Sequence, residues 1–502
     1  MDRATCDVVV VGNGIIGLST AFELSQRTTG LRIAVVGPPT REGAASVAAG
    51  AMLNCFGEAT AATLGDPASI AKFAITRAAL DAWPAWLDKL CDAADGTRAR
   101  RSFRQGTFIV LGARATESTI GNFHAIRSVL ATYDEPFEEV APAEIKGIAP
   151  EVNSRPVRAL HLPREGSIDA REVLALLERA LTTSGVDIVP GTVEELVISD
   201  GRVRGVRLAD GGTMSAPSVV VAAGSLTQRF IEQLPPGAVP LLLHGTGLAV
   251  LTRRHDTPGF DHVVRTPNQS GACGLHLVPL DERGHEYIGG TNLPSFLPSA
   301  GPSIGVSFNL LRRACEDFDH RLGYSRIDRW LVGRRPVTLD GFPLLGAAPS
   351  CRGLVFATGT YRDGFHSSPV IAPHIADVVL DRAVAHPHFD HFVPERPPIE
   401  RTSVAAAIDE FVVHENDNAV MLGIRLPYCV DPDSIRGHYR RTAEDVYARM
   451  AEPVALPPEI LNAVNNEPSE CLRLLNPYLR AARERYGARI APRTPQREAA
   501  AQ

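Results

Sequence analysis

The chain has no run of 18 consecutive apolar residues, which excludes an obvious membrane-spanning helix. It also has no CxxC pair. Its eight cysteines, at positions 6, 55, 91, 273, 315, 351, 429 and 471, are scattered, which argues against a zinc site or a disulfide framework and suits reduced thiols in a cytoplasmic protein. There is no basic arm and no long tract of one charge sign, and the formal net charge of −6 gives no hint of a nucleic-acid partner. The opening residues, MDRATCDVVVVGNG, hold an apolar stretch too short for a signal-peptide core, with no small-residue cleavage site behind it. At 502 residues, 44 % of them hydrophobic, the chain can bury a sizeable core in two or three domains.

What is present starts at once. In DVVVVGNGIIGLSTAFEL, residues 7–24, a buried strand at 6–12 runs into Gly12, Gly14 and Gly17 and then into helical periodicity over 15–27. A second apolar strand, LRIAVVG at 31–37, completes a β-α-β unit. Gly12 permits the tight turn, Gly14 lets backbone approach a pyrophosphate, and Gly17 lets the helix pack close to the sheet. The helix N-terminus then aims free N–H groups and its positive end at the phosphates. The acidic residue expected about twenty residues on, for the ribose hydroxyls, is missing, because Gly37 stands there. Backbone and a nearby side chain such as Arg41 are the available substitutes.

Further along, 68–95 reads as helix, 106–112 and 159–163 as strands, and 169–185 as a helix opened by an Asp and closed by a Gly. Turns at SDGR and ADGG divide 186–224 into a meander that closes on the buried strand SVVVAAG. More strand-like pieces alternate over 240–295, a helix is expected at 305–318, and 333–349 reads as loop-rich. Residues 353–384 again read strand, glycine turn, helix. The Pro- and His-rich stretch 385–402 looks like a boundary, and helical pieces near 404–413, 433–451 and 457–486 precede an unstructured tail at 491–502.

Several stretches between residues 7 and about 384 resemble the D-amino-acid oxidase/glycine oxidase family of FAD-dependent amine oxidases, the glycine oxidase type above all. They are the glycine fingerprint, GAASVAAGAML (43–53), ALHLPREGSIDAREVL (159–174), VVVAAGSLT (219–227), GLHLVPL with IGGT, GRRPVTLDGFPLLG and ATGTYRDGFHSSP. The resemblance implies an α/β fold: an FAD-binding Rossmann-like domain of the GR2 type, a mixed antiparallel-sheet substrate domain and, beyond the family's reach, a helical C-terminal extension. It divides the chain into FAD-binding parts at 1–90, 166–232 and 331–385, substrate-domain parts at 91–165 and 233–330, and a linker with extension at 386–502.

The implied activity is transfer of a hydride from the α-carbon of a small carboxylate-bearing amine to flavin N5, with hydrolysis of the imine and reoxidation of the flavin by O₂. Glycine, sarcosine, a D-amino acid or an N-carboxymethyl secondary amine are within the family's range, and the altered pocket and extra C-terminal region favour the last. An FAD dehydrogenase using another acceptor and a flavin-binding subunit without chemistry are the alternatives, and homo-oligomerisation is open. By the same resemblance Arg335 binds the substrate carboxylate and Arg362 stands near flavin and substrate, whereas Arg334 is a surface neighbour. His276, where the family carries a Tyr, lines the substrate site. Non-covalent FAD would be held by Gly12, Gly14, Ile15, Ile16, Gly17, Ser46, Ala49, Gly50, Met52, Val193 and Gly224. Backbone N–H groups of Arg362, Asp363, Gly364, Phe365 and His366 would form a nest for the flavin N1/C2 oxygen. His244 and Ser367 are further polar replacements at aligned pocket positions, and Cys351, in a surface turn, anchors nothing.

Overall fold

In a computed structural model of the protein, residues 2–94, 102–255, 259–269, 273–281, 284–299, 301, 303–383, 386–424, 427 and 429–487 are described. The valine run Val8–Val11 is an interior strand of a six-stranded sheet, and all four valines are buried. Val8 and Val10 face a core shared with the helices Ile15–Arg27 and Ala170–Thr183, while Val9 and Val11 face a second core built with Met214 and Phe230. A strand covered on both faces reads as a continuous apolar run, which is why alternation is absent here. Across the sheet the order is Leu344–Ala347, Leu354–Thr358, Ser218–Val221, Val8–Val11, Ile33–Gly37 and Asp187–Pro190. Every neighbouring pair is parallel except the first.

The meander expected over 186–224 is shared between two sheets. Its middle strands, Val193–Ser199, Arg202–Leu208 and Thr213–Ser215, join Asp2–Thr5 in a four-stranded sheet, while its two ends enter the six-stranded one. A ten-stranded mixed sheet completes the body and includes Arg104–Gly112, Pro156–Ser167, Leu242–Arg253, His276–Pro279 and His285–Gly289.

The stretch 333–349 is not loop-rich as its glycines and prolines suggest. Arg326–Thr338 is a 13-residue strand running antiparallel to Leu242–Arg253, and Leu344–Ala347 is an edge strand. Pro336 is tolerated because its strand is paired along its length on one side only.

The C-terminal extension forms helices Val404–Met421, Pro432–Ala448, Pro458–Asn466 and Pro468–Tyr486. The helical run expected over 457–486 is broken at Glu467, whose non-helical backbone follows from the proline behind it. The tail from 488 onward lies outside the described residues. The extension packs on the body. Leu472, Leu475, Tyr478 and Leu479 share one core with Leu243, Val337, Leu339 and Tyr361 of the body. The boundary stretch is packed too: Phe389 and Phe392 are buried against the first core, and Arg396 forms a buried pair with Asp340. Among the described residues no helix is long and apolar enough to cross a membrane.

Because Leu475 is fully buried in that shared core, Leu475→Ala is expected to lower the stability of the whole chain by about 2–5 kcal/mol. Urea unfolding followed by intrinsic fluorescence checks this, with the midpoint of the single main transition moving down. An unchanged midpoint with a separate early transition would mean the extension folds apart from the body.

Candidate active site

A long cavity begins at the first glycine turn and ends on the large sheet. At the near end Gly12 takes φ +115°, and a Cβ there would sit 2.3 Å from the carbonyl oxygen of Ala222. A Cβ on Gly17 would sit 1.9 Å from the carbonyl oxygen of Gly12. Both positions therefore require glycine for contact reasons, and the contact is the one that brings the helix start onto the strand ends. The N–H groups of Gly14, Ile16 and Gly17 make no hydrogen bond among the described residues. Ile15 differs: its N–H donates to Ser46 Oγ at 3.0 Å. Ser46 thus fixes the helix start from a distant loop, and a Cβ on Gly14 would meet the same hydroxyl at 3.0 Å.

The missing acid at position 37 has a steric cause. The Asn13 side chain lies over Gly37, where a Cβ would come within 2.3 Å of its Cγ, and it donates to the Pro38 carbonyl at 3.0 Å. Arg41 Nε in turn donates to the Asn13 carbonyl at 2.8 Å, and its guanidinium pairs with Glu178. Arg41 and Glu42 are the charged residues that line the cavity beside Gly37 and Pro38.

The loop with Ser46, Ala49, Gly50 and Met52 crosses the cavity's middle and is tied to the large sheet by pairing of Met52 with Ser167 and by hydrogen bonds. Arg334 N donates to the Gly43 carbonyl, and Tyr287 Oη donates to the Ala48 carbonyl at 2.9 Å. A Cβ on Gly50 would come within 2.8 Å of the Tyr287 ring. Val193 and Gly224 line the cavity, although the Val193 carbonyl already accepts from Arg229 at 3.3 Å.

The last glycine turn, 361–366, is held by the long helix Pro67–Ala94. Lys72 pairs with Asp363 at 3.0 Å, His366 Nε2 donates to the Thr76 carbonyl at 2.8 Å, and Trp83 Nε1 donates to the His366 carbonyl at 2.7 Å. Trp83 also stacks on Phe365. The expected nest loses one member, because the Asp363 N–H is spent on the Thr360 carbonyl at 2.9 Å. The N–H groups of Arg362, Gly364, Phe365 and His366 make no hydrogen bond among the described residues, and all four residues line the cavity. His366 Nδ1 is a buried acceptor without a partner, and burial holds the imidazole's pKa down.

At the far end stand two guanidiniums. Arg335 is held by donation from Nη1 to the Thr291 carbonyl at 3.1 Å, and it lies over Gly247, where a Cβ would be 2.5 Å from Nη1. No acidic side chain pairs with it among the described residues. Arg362 lies over the Tyr361 ring at 5.1 Å and contacts Cys273 Sγ at 3.4 Å, likewise without an ion pair. His276 is buried beside them, stacked on Tyr287. Its Nδ1 lies 2.9 Å from the Gly274 carbonyl, which can only accept, so Nδ1 carries the proton and Nε2 is left as an acceptor. Burial pushes the His276 imidazole down to about 4, and pushes the Tyr287 hydroxyl up to about 12, so both are neutral at pH 7.

Sequence reasoning missed several polar residues here. Glu58 lines the cavity, and although burial raises its carboxyl, Arg265 and then Arg362 hold it down at about 2. Arg265, with no exposed side-chain surface, pairs with Glu58, and Asn268 Nδ2 donates to Glu58 Oε2 at 3.0 Å. Cys273, Tyr287 and Tyr361 also line the cavity. The one available signal was an acid inside the apolar run MLNCFGEAT.

Three expectations are corrected. Arg334 is not a surface neighbour; it is half-buried and lines the cavity. His244 and Ser367 are buried, but neither lines the cavity. Cys351 is in the core with Leu354, not in a surface turn, and is also outside the cavity.

The cavity is long, with free N–H groups at both glycine turns and small residues between, and it fits an extended dinucleotide. Comparison with known proteins agrees. Residues 7–378 match the sequence profile described as DAO, FAD dependent oxidoreductase. The glycine oxidase of Geobacillus kaustophilus is 27 % identical over 386 residues, 76 % of this chain and 94 % of that protein, and its crystal structure superposes with a TM-score of 0.66 over 78 % of this chain and 99 % of its own. The bifunctional protein ThiO/ThiG of Synechocystis sp. is 28 % identical over 395 residues, 78 % of this chain; the match spans 54 % of that longer protein. The crystal structure of iminodiacetate oxidase from Chelativorans sp. BNC1 is 19 % identical, covers 78 % of this chain and 100 % of its own, and has a TM-score of 0.64.

Gly12→Ala places a methyl group against the Ala222 carbonyl, and it is expected to cut flavin retention about tenfold or more and to lower the stability of the chain as well. The ratio of visible flavin absorbance to protein absorbance, with circular dichroism as the folding control, checks this.

Proposed function

The chain belongs to the DAO family of FAD-dependent oxidoreductases, and from that membership we propose that it oxidises a small amine bearing a carboxylate. The observation that carries the reading is Arg335, a guanidinium without an acidic partner among the described residues, facing the cavity that starts at the dinucleotide cradle. A planar guanidinium matches a carboxylate with two parallel hydrogen bonds, which fixes the position of the neighbouring α-carbon.

When bound, FAD supplies the two-electron acceptor for the substrate C–H and passes the electrons to O₂. The chain's own residues prepare the substrate. Arg335 anchors the carboxylate against strand Arg326–Thr338. His276, neutral and with Nε2 free to accept, takes an N–H of the substrate amine without competing for its proton. Tyr287 and Tyr361, both buried and both with hydroxyl pKa values raised by burial, give the site apolar walls that exclude water. The N–H groups of Arg362, Gly364, Phe365 and His366, which make no hydrogen bond among the described residues, would stabilise negative charge on the cofactor ring. Arg41, Glu42 and Asn13 take over at the adenosine end, where Gly37 offers no side chain. In this reading the cofactor is held without a covalent bond, so acid is expected to release the FAD.

The test is anaerobic addition of glycine, sarcosine, iminodiacetate or D-alanine to the yellow protein. Bleaching by at least one, with hydrogen peroxide formed when O₂ is admitted, is the expected result; no bleaching by any of them would overturn the reading. Arg335→Met is expected to lower kcat/KM by about a hundredfold or more, with most of the change in KM. Steady-state peroxide release checks this, with flavin content unchanged.

A further inference from the structure

A second cavity shares a wall with the first: Glu58, Tyr361, Arg362 and Asp363 line both. The second cavity is lined on its other side by the C-terminal extension, through Pro457 and Glu459. Tyr361 stands between the two. Its hydroxyl accepts from Asn292 and lies 3.5 Å from Glu459 Oε1, and its backbone is held in the left-handed region at φ +51°.

The charges around this second cavity cancel. Lys72 pairs with Asp363 at 3.0 Å, Arg401 with Glu410 at 3.8 Å, Asp340 with Arg396, and Glu58 with Arg265. Among the described residues that leaves Arg362 and the Glu459 carboxyl without an ion pair, Arg362 over the Tyr361 ring and Glu459 beside its hydroxyl; burial raises the Glu459 pKa, against its own backbone N–H and then Arg362. A charged guest would leave one of them opposed and one charge in excess, at the cost of a buried uncompensated ion. An apolar guest would leave Glu459 with only the Tyr361 hydroxyl at 3.5 Å and Arg362 with only the Cys273 thiol at 3.4 Å as side-chain partners, too few for a carboxylate and a five-donor guanidinium. A neutral group with hydroxyls serves both, donating to Glu459 and accepting from Arg362. The hydroxyls of Thr60 and Thr63 line the same space.

We propose that this cavity is a subsite for the N-substituent of the substrate amine, and that it takes a neutral, hydroxylated group. The inference rests on the amine-oxidase reading: with the carboxylate on Arg335, the amine's second substituent passes Tyr361 and Arg362 toward Glu459. A residue of the extension, outside the matched family region, thereby sets specificity.

The test uses the holoenzyme and a series of N-substituted glycines: N-(2-hydroxyethyl)glycine, N-propylglycine, N-(2-aminoethyl)glycine and iminodiacetate, with sarcosine as reference. The expected kcat/KM for the hydroxyethyl compound exceeds that for the propyl and for both charged compounds by about tenfold, the size of one hydrogen bond to a charged group. In Glu459→Leu, which removes the acceptor, the hydroxyethyl-to-propyl ratio is expected to fall toward one. Equal values across the series, a preference for the propyl, aminoethyl or carboxymethyl group, or a ratio untouched by the variant would overturn the inference while sarcosine turnover keeps the amine-oxidase reading intact. If neither sarcosine nor any of the series bleaches the flavin, the amine-oxidase reading itself has failed, and the subsite falls with it.

Discussion

A guanidinium facing a cavity without an acid beside it is the constraint around which this structure is arranged. Arg335 has only the Thr291 carbonyl as a partner among the described residues, and it lies over a glycine because no side chain fits beneath it. Such a charge is costly to bury unless an anion arrives. Its surroundings keep it in place. The strand that carries it is paired to Leu242–Arg253 over twelve residue pairs, and its next turn, through Val337 and Leu339, is buried in the core shared with the extension. Glu58, an acid that lines the same cavity, is engaged elsewhere, held by Arg265 and Asn268.

The same economy runs through the rest of the cavity. Where the backbone must come close, side chains are absent, as at Gly12, Gly17 and Gly37. Where a turn must stay rigid without regular structure, a helix holds it, as Pro67–Ala94 holds 361–366 through Lys72, Thr76 and Trp83. The C-terminal helices do more than cover a surface. They share a core with the strand of Arg335 and with Tyr361, so a segment outside the matched family region is mechanically part of the site.

Much of this was legible in the sequence, for physical reasons that can be named. The first β-α-β unit was legible because an apolar run, three glycines and helical periodicity leave few alternatives, and the helix falls at Ile15–Arg27. The strand Arg326–Thr338 was not, since Gly333 and Pro336 carry turn signals and only the pairing with a distant strand overrides them. Arg335 and Arg362 were found through motif resemblance, and both line the cavity. Glu58, Cys273 and Tyr287 were not found, because each reaches the cavity through packing between segments far apart in the chain. The absent acid at position 37 was visible, but its cause, the Asn13 side chain lying over that glycine, is a three-dimensional fact.

The central claim is that Arg335 awaits a carboxylate next to the flavin, and the most direct measurement of it needs no turnover. The holoenzyme is titrated with a simple carboxylate that lacks an amine, such as propionate, while the visible flavin spectrum is recorded. The account predicts a saturable perturbation of the flavin bands that is lost in Arg335→Met but retained in the conservative Arg335→Lys with weaker affinity. No perturbation in the parent protein, or an identical one in the Met variant, would contradict it.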